Sequence, residues 1–168
     1  VGLISASRGC RHRCEFCAIW KFDAGRYRTR PVAAVLDELA GLPASPVLLF
    51  TDDNIYTDRD HALALFRGMR ERRRSRRFAV QASLDIADDD ELLAAIRAAG
   101  GFAVLVGLES VNEATLRTMR KGVNLRVGVA GYRDKIRQIH RHGLLLAGTF
   151  IFAGDGDEAD IFTRTADF

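Results

Sequence analysis

SASRGCRHRCEFCAIW, residues 5–20, holds Cys10, Cys14 and Cys17, all the cysteines of the 168-residue chain. Three thiols this close cannot pair off, and an odd set without a secretory signal argues against a disulfide framework. In a polar, arginine-bearing loop they make poor core residues, so metal binding is the natural reading. A structural zinc site draws four ligands, and the only nearby fourth candidate is His12, inside the first cysteine gap. A four-iron four-sulfur cluster used purely for electron transfer wants four thiolates; three leave one iron without a protein ligand, and an open iron is a binding site. Three readings stay open on these residues alone: a zinc-stabilised interaction module, a cluster that transfers electrons or senses redox state, and a cluster that binds a further ligand.

What surrounds the loop points to its fold. Residues 1–5 are apolar and read as a short buried strand that delivers the cysteines, and a basic polar connection through Gly25 follows to Arg30. Pro31 suits a first helical position, and Val32, Val35, Leu36, Leu39 and Leu42 follow at helical spacing until Pro43 and Pro46. The strand-helix unit then repeats. Residues 47–50 form a strand, residues 51–57 a polar loop, and Asp58 caps a helix carrying Ala62, Leu65, Phe66 and Met69. A strand at 78–83 precedes a helix capped by Asp88 and carrying Leu92, Leu93 and Ile96. An apolar strand at 102–108 follows, and then a short helix capped by Asn112 that ends near Gly122. A longer helix through Val129, Tyr132, Ile136 and Ile139 leads to a strand at 144–152 and a last helix within 157–168.

Alternating strands and helices of this length predict parallel pairing through right-handed crossovers. The expected fold is α/β, a partial parallel (β/α) barrel of five to six strand-helix units. Loops after the strands then share one mouth, which gathers the cysteine loop, Thr51 to Asn54, Gln81 to Ser83, Glu109 to Ser110 and Asp155 to Asp157. Residues 1–168 read as one domain, and a chain that starts on Val1 in an apolar run reads as part of something longer.

Composition excludes little. Of 25 basic and 22 acidic residues, the run Arg67 to Arg77 holds seven arginines and Glu71, which leaves 18 basic against 21 acidic elsewhere. The basic balance therefore reports one segment, read as a solvated helix end and not as a nucleic-acid surface, since no aromatics interleave. No apolar run approaches a bilayer span, and the expected compartment is the cytoplasm.

CxxxCxxC at the end of the first strand, with an aromatic before the last cysteine, resembles the signature of the radical S-adenosylmethionine superfamily. Cys10, Cys14, Phe16 and Cys17 carry that resemblance. It implies a four-iron four-sulfur cluster on the three cysteines, with S-adenosylmethionine chelating the fourth iron. Electron transfer then cleaves the sulfonium to methionine and a 5′-deoxyadenosyl radical, which abstracts hydrogen from a substrate. It also implies cofactor contacts. Asp52 and Asp53 stand where the superfamily often has Gly-Gly-Glu, with Asp53 favoured over its neighbour. Gln81, Ser83 and Glu109 resemble positions that reach the ribose and methionine, and Gly148 and Ile151 resemble those that meet the adenine. At Ala153, where glycine is more usual, the expected backbone bend shifts to Gly154.

SRGC, FTDDN, QASLDIA and VGLES together resemble the subgroup that often carries an N-terminal cobalamin-binding domain. That implies a possible cobalamin domain upstream and a sixth strand-helix unit beyond Phe168. It further implies a small-molecule or lipid-like substrate and an electron donor such as flavodoxin or ferredoxin.

Overall fold

A computed structural model of the chain describes residues 1–22, 24–43, 45–72 and 76–168. Arg73 and Arg74 of the arginine run lie outside the described residues. Among the described residues seven strands and eight helices follow in order: β1 (Gly2–Ile4), β2 (Ser7–Arg8), α1 (Ile19–Phe22), β3 (Arg28–Thr29), α2 (Val32–Gly41), β4 (Leu48–Phe50), α3 (Arg59–Glu71), β5 (Phe78–Ala82), α4 (Asp90–Ala98), β6 (Gly101–Glu109), α5 (Glu113–Thr118), α6 (Gly122–Val127), α7 (Tyr132–Arg141), β7 (Leu145–Phe150) and α8 (Ile161–Asp167). Short 3₁₀ turns interleave at Ile55–Thr57, Leu84–Asp88 and Val129–Gly131.

Five strands form one parallel sheet in the order β1-β4-β5-β6-β7, so each strand lies beside its successor in the chain. A doubly wound sheet reverses its strand order at a switch point; this one does not, which is the topology of an opened barrel. All five strands point the same way. Their carboxyl ends therefore meet at one rim.

Helices cover the sheet through residues the periodicity marked. Val35, Leu36 and Leu39 of α2, Leu65, Phe66 and Met69 of α3, and Leu92, Leu93 and Ile96 of α4 are buried against it. At the centre Phe66 stacks on Phe78 with centroids 5.3 Å apart, and both meet Phe50 edge-on. Such offset and T-shaped pairs add to plain area burial. Asp58 caps α3 by accepting from the His61 N–H, and Asn112 caps α5 by accepting from Ala114 N–H.

Four details differ from the sequence expectation. The cap of α4 is Asp89, not Asp88, because the 3₁₀ turn Leu84–Asp88 uses up the earlier residue; Asp89 also holds Arg59 at 2.6 Å. The short helix after Asn112 stops at Thr118, Arg120 takes a positive φ of 50°, and a separate α6 follows. The small antiparallel ladder of β2 with β3 pairs Ser7 with Thr29 and Arg8 with Arg28, closing the base of the cysteine loop. Two residues per strand carry no readable alternation. Finally, the left-handed bend after Phe152 stays at Ala153, with φ 65°. Gly154 instead donates its N–H to Asp157 at 3.0 Å and accepts from Asp157 N–H, which fixes a turn one residue later.

Among the described residues no helix is long and apolar enough to cross a membrane. Since Phe66 is fully buried between two aromatic rings, Phe66→Ala is expected to lower the unfolding free energy by about 3–5 kcal/mol. Urea denaturation followed by circular dichroism measures it, with an unchanged slope showing that the native state is otherwise kept.

Candidate functional site

Gly9, the residue before Cys10, sits at φ 101°, and a Cβ there would come within 2.2 Å of the Arg26 carbonyl. Only glycine lets the chain turn this close to the returning strand. From that turn the loop folds onto itself: Cys17 N–H donates to the Cys14 carbonyl at 3.1 Å, and the Trp20 indole N–H donates to the same carbonyl at 2.9 Å. Glu15 N–H donates to the Met119 carbonyl, pinning the loop to the end of α5. Trp20 is thus a brace for the cysteine loop.

All three thiols line one cavity of about 270 Å³ at the carboxyl rim of the sheet. Its polar lining is completed by Asp53, Asn54, Gln81, Ser83, Glu109, Lys121, Thr149 and His12, beside Phe16 and other apolar groups. Burial pushes the Cys14 thiol above its usual range, opposed by the Lys121 ammonium. Burial likewise holds the His12 imidazole below its usual range.

In the same cavity, Lys121 Nζ lies 2.6 Å from Glu109 Oε1, with both side chains largely buried. Glu109 reaches it from a bulge at the end of β6, where its own φ is 64° and the register with β7 shifts. Left-handed backbone at a non-glycine residue is a strained arrangement of the kind that collects at functional sites. Gly107 makes room: a Cβ there would stand 2.0 Å from the Glu109 carboxylate and 3.0 Å from Lys121 Nζ. The ammonium also sits 5.6 Å from the Phe16 ring centroid, over its electron-rich face. Lys121 was not legible in the sequence, where it reads as one more base after Arg120 in a turn.

The two adjacent aspartates part company. Asp52 is 1% exposed and turns away from the cavity; its carboxylate accepts from Ala6 N–H at 3.1 Å and from the Ser7 hydroxyl at 2.5 Å. It bonds the exit of β4 to the exit of β1 and is not among the residues that line the cavity. Asp53 faces the cavity, and its Oδ2 accepts from Gly9 N–H at 2.8 Å.

Of the other residues singled out, Phe16, Gln81, Ser83 and Glu109 line the cavity with the cysteines. Gly148 and Ile151 do not. Gly148 pairs with Val106 on β7, where a Cβ would press on Leu108 at 2.9 Å, and Ile151 N–H donates to the Glu109 carbonyl. From β7 the cavity takes Thr149 instead. Asp157, expected at the mouth, is bound to Thr115 and Gly154.

The donor set can be tested against the groups it would hold. Among the described residues no three His, Cys, Asp or Glu side chains converge tightly enough for a single metal ion. A four-iron cluster asks for one thiolate per iron, and Cys10, Cys14 and Cys17 all line the one cavity. The residues present fit a cluster.

Burial raises the Asp52 carboxyl above its ordinary range, against hydrogen bonds from Ser7 and Ala6 that lower it. A carboxyl raised on folding stabilises the folded state fully below its unfolded pKa, and that contribution disappears as pH rises through the folded value. The stability advantage of the wild type over Asp52→Asn is therefore expected to shrink from the acidic carboxylate range to neutral pH, measured by denaturant titration across pH.

The family model described as "Radical SAM superfamily" matches residues 4–168. Among curated proteins, the chain is 29% identical over 170 residues to the bacteriochlorophyllide d C-12(1)-methyltransferase of Chlorobaculum tepidum, covering 98% of this chain and 36% of that protein. It is 29% identical to the hopanoid C-2 methylase of Rhodopseudomonas palustris, over 94% of this chain and 31% of that one. The chain thus spans about a third of the length of these relatives. Among solved structures, the radical S-adenosylmethionine methyltransferase TsrM of Kitasatospora setae, with cobalamin and a [4Fe-4S] cluster bound, superposes with a TM-score of 0.86 at 23% identity, over 99% of this chain and 34% of that one. The cobalamin-dependent radical enzyme OxsB, with aqua-cobalamin and S-adenosylmethionine bound, gives 0.80 at 18% identity, over 98% of this chain and 26% of that one. The fold is the same, the cysteine cavity sits where the parallel strands end, and the family model runs through nearly every residue: the chain belongs to the radical SAM superfamily of enzymes.

Proposed function

We propose that the chain is the core of a cobalamin-dependent radical S-adenosylmethionine methyltransferase acting on a small-molecule or lipid-like substrate. The observation that carries the reading is one cavity lined together by Cys10, Cys14 and Cys17, the Glu109–Lys121 pair, Asp53 and Gln81. Three cysteines and no fourth suit a cluster with one iron left for a ligand. The names of the relatives support the methyl-transfer part, and the cobalamin bound in the similar TsrM structure supports the cobalamin part.

In this reading Cys10, Cys14 and Cys17 hold the four-iron four-sulfur cluster. The chemistry such a group supplies when bound is one-electron reduction of the sulfonium of S-adenosylmethionine, releasing methionine and a 5′-deoxyadenosyl radical. The protein's own part is placement. Lys121 presents a cation fixed by Glu109 and Phe16, suited to a carboxylate, and it sits beside Phe16 of the cysteine loop. Gln81, whose Nε2 donates to the Asp53 carbonyl at 3.4 Å, and Thr149 supply neutral polar groups for a ribose further along the rim. Ser83 is better placed as a support, since its hydroxyl donates to Asp85 and accepts from Asn54. Gly148 and Ile151 flank Thr149 at the end of β7, in the direction an adenine would extend. Reducing equivalents would come from a small carrier such as flavodoxin or ferredoxin.

Anaerobic reconstitution of the whole protein with iron and sulfide, followed by dithionite and S-adenosylmethionine, is expected to yield methionine and 5′-deoxyadenosine. Alanine at any one of the three cysteines should cut bound iron and sulfide and abolish both products. A fully loaded cluster that cleaves no S-adenosylmethionine, with no binding by calorimetry, would favour an electron-transfer or redox-sensing domain and overturn the proposal.

A further inference from the structure

Asn54, in the polar loop after β4, is 3% exposed and uses all four hydrogen-bonding positions of its side-chain amide. Its Oδ1 accepts from Tyr56 N–H at 3.1 Å and from Ser83 N–H at 3.2 Å. Its Nδ2 donates one hydrogen to Ser83 Oγ at 3.1 Å and the other to Cys10 Sγ at 3.8 Å. The two backbone donors fix which way the amide points, because a flipped amide would set its NH₂ against two N–H groups. The N–H therefore must face the sulfur. Behind it, Ser83 Oγ donates to Asp85 Oδ1 at 2.5 Å, which polarises the hydroxyl and strengthens it as an acceptor for Asn54. A directed chain runs from the Asp85 carboxylate through Ser83 and Asn54 to the Cys10 sulfur.

We infer that Asn54 is a positioning residue that sets the reduction potential of the cluster through its N–H···S bond to Cys10. The inference rests on the reading that Cys10, Cys14 and Cys17 hold a four-iron four-sulfur cluster. Hydrogen bonds to cluster sulfurs are one of the protein's levers on potential. On reduction the cluster gains one electron, and part of that negative charge falls on its thiolates. A dipole already aimed at Cys10 Sγ favours the more negative state and so raises the potential. Asp53, next to it in the chain, is turned to Gly9 N–H and does not compete for the sulfur.

The test is a redox titration of the reconstituted whole protein and its Asn54→Asp variant, which keeps an oxygen for Tyr56 and Ser83 and loses the donor. Titanium(III) citrate supplies the electron, each titanium passing to titanium(IV) as one cluster is reduced, with no bond made or broken. Electron paramagnetic resonance reads the reduced cluster. At a fixed poise the ratio of reduced to oxidised cluster is expected to fall roughly tenfold in the variant, which is 59 mV for a one-electron couple. In wild-type protein grown with ¹⁵N-asparagine, the reduced cluster should show a ¹⁵N hyperfine coupling that vanishes with unlabelled asparagine. That second measurement decides the matter where the variant does not fold. An assembled cluster with an unshifted ratio, or with no ¹⁵N coupling, overturns the inference while leaving the cluster reading intact. A wild-type protein that takes up no iron and sulfide overturns both.

Discussion

A buried carboxylate, Asp52, decides where the cysteine loop begins. Its two oxygens sit at the end of β4 and take up the backbone of Ala6 and the hydroxyl of Ser7 just past the end of β1. Parallel strands need such a tie at their carboxyl ends, because the sheet's hydrogen bonds stop there and the chains would otherwise diverge. Thr51 extends the same join by donating its backbone N–H and its hydroxyl to the Ile4 carbonyl. With the first two strand exits locked together, Gly9 turns against Arg26 and the cysteines are delivered to one side. Asp53, one residue on and pointing the other way, seals that turn from the cavity side. Two neighbouring carboxylates thus serve opposite faces of one loop, as adjacent residues in extended chain must.

The far wall depends on a second constraint, the strained backbone of Glu109. An αL conformation costs a side-chain-bearing residue about 1–2 kcal/mol. It is held by a bulge in β6, by the Ile151 N–H that binds the Glu109 carbonyl, and by the Lys121 ion pair. Nearby, Asn124 donates to the carbonyls of Gly107 and Leu108 and to the Tyr132 hydroxyl, which fastens the bulge to α6 and α7. The cavity is therefore built from two rigid halves. One is organised by Asp52 and the other by Asn124.

Much of this was legible. Helical spacing of Leu65, Phe66 and Met69, continuous apolar strands and caps at Asp58 and Asn112 are local signals, and local signals survive folding. The cysteines were legible because thiols at that spacing have few other uses. What sequence could not separate were residues of identical type whose roles differ by burial alone, as with Asp52 and Asp53. Lys121 and Asn54 were hidden for another reason: their partners Glu109, Ser83 and Cys10 lie 12, 29 and 44 residues away in the chain, and only the strand register brings them together. Likewise Ala153 keeps a bend that glycine would take more easily, because Asp157 commits Gly154 to the turn that follows.

The sheet's order has a consequence for how the molecule meets other chains. Among the described residues β7 pairs on one side only, and Leu145 at its start is 64% exposed. At the opposite edge Leu3 of β1 is 60% exposed. Among the described residues each edge carries no strand on its outer side and has an exposed apolar side chain, the kind of surface to which a further strand adds. No charge or proline lies within either strand to block such growth. Both edges are thus open to a further strand, independently of the chemistry at the rim.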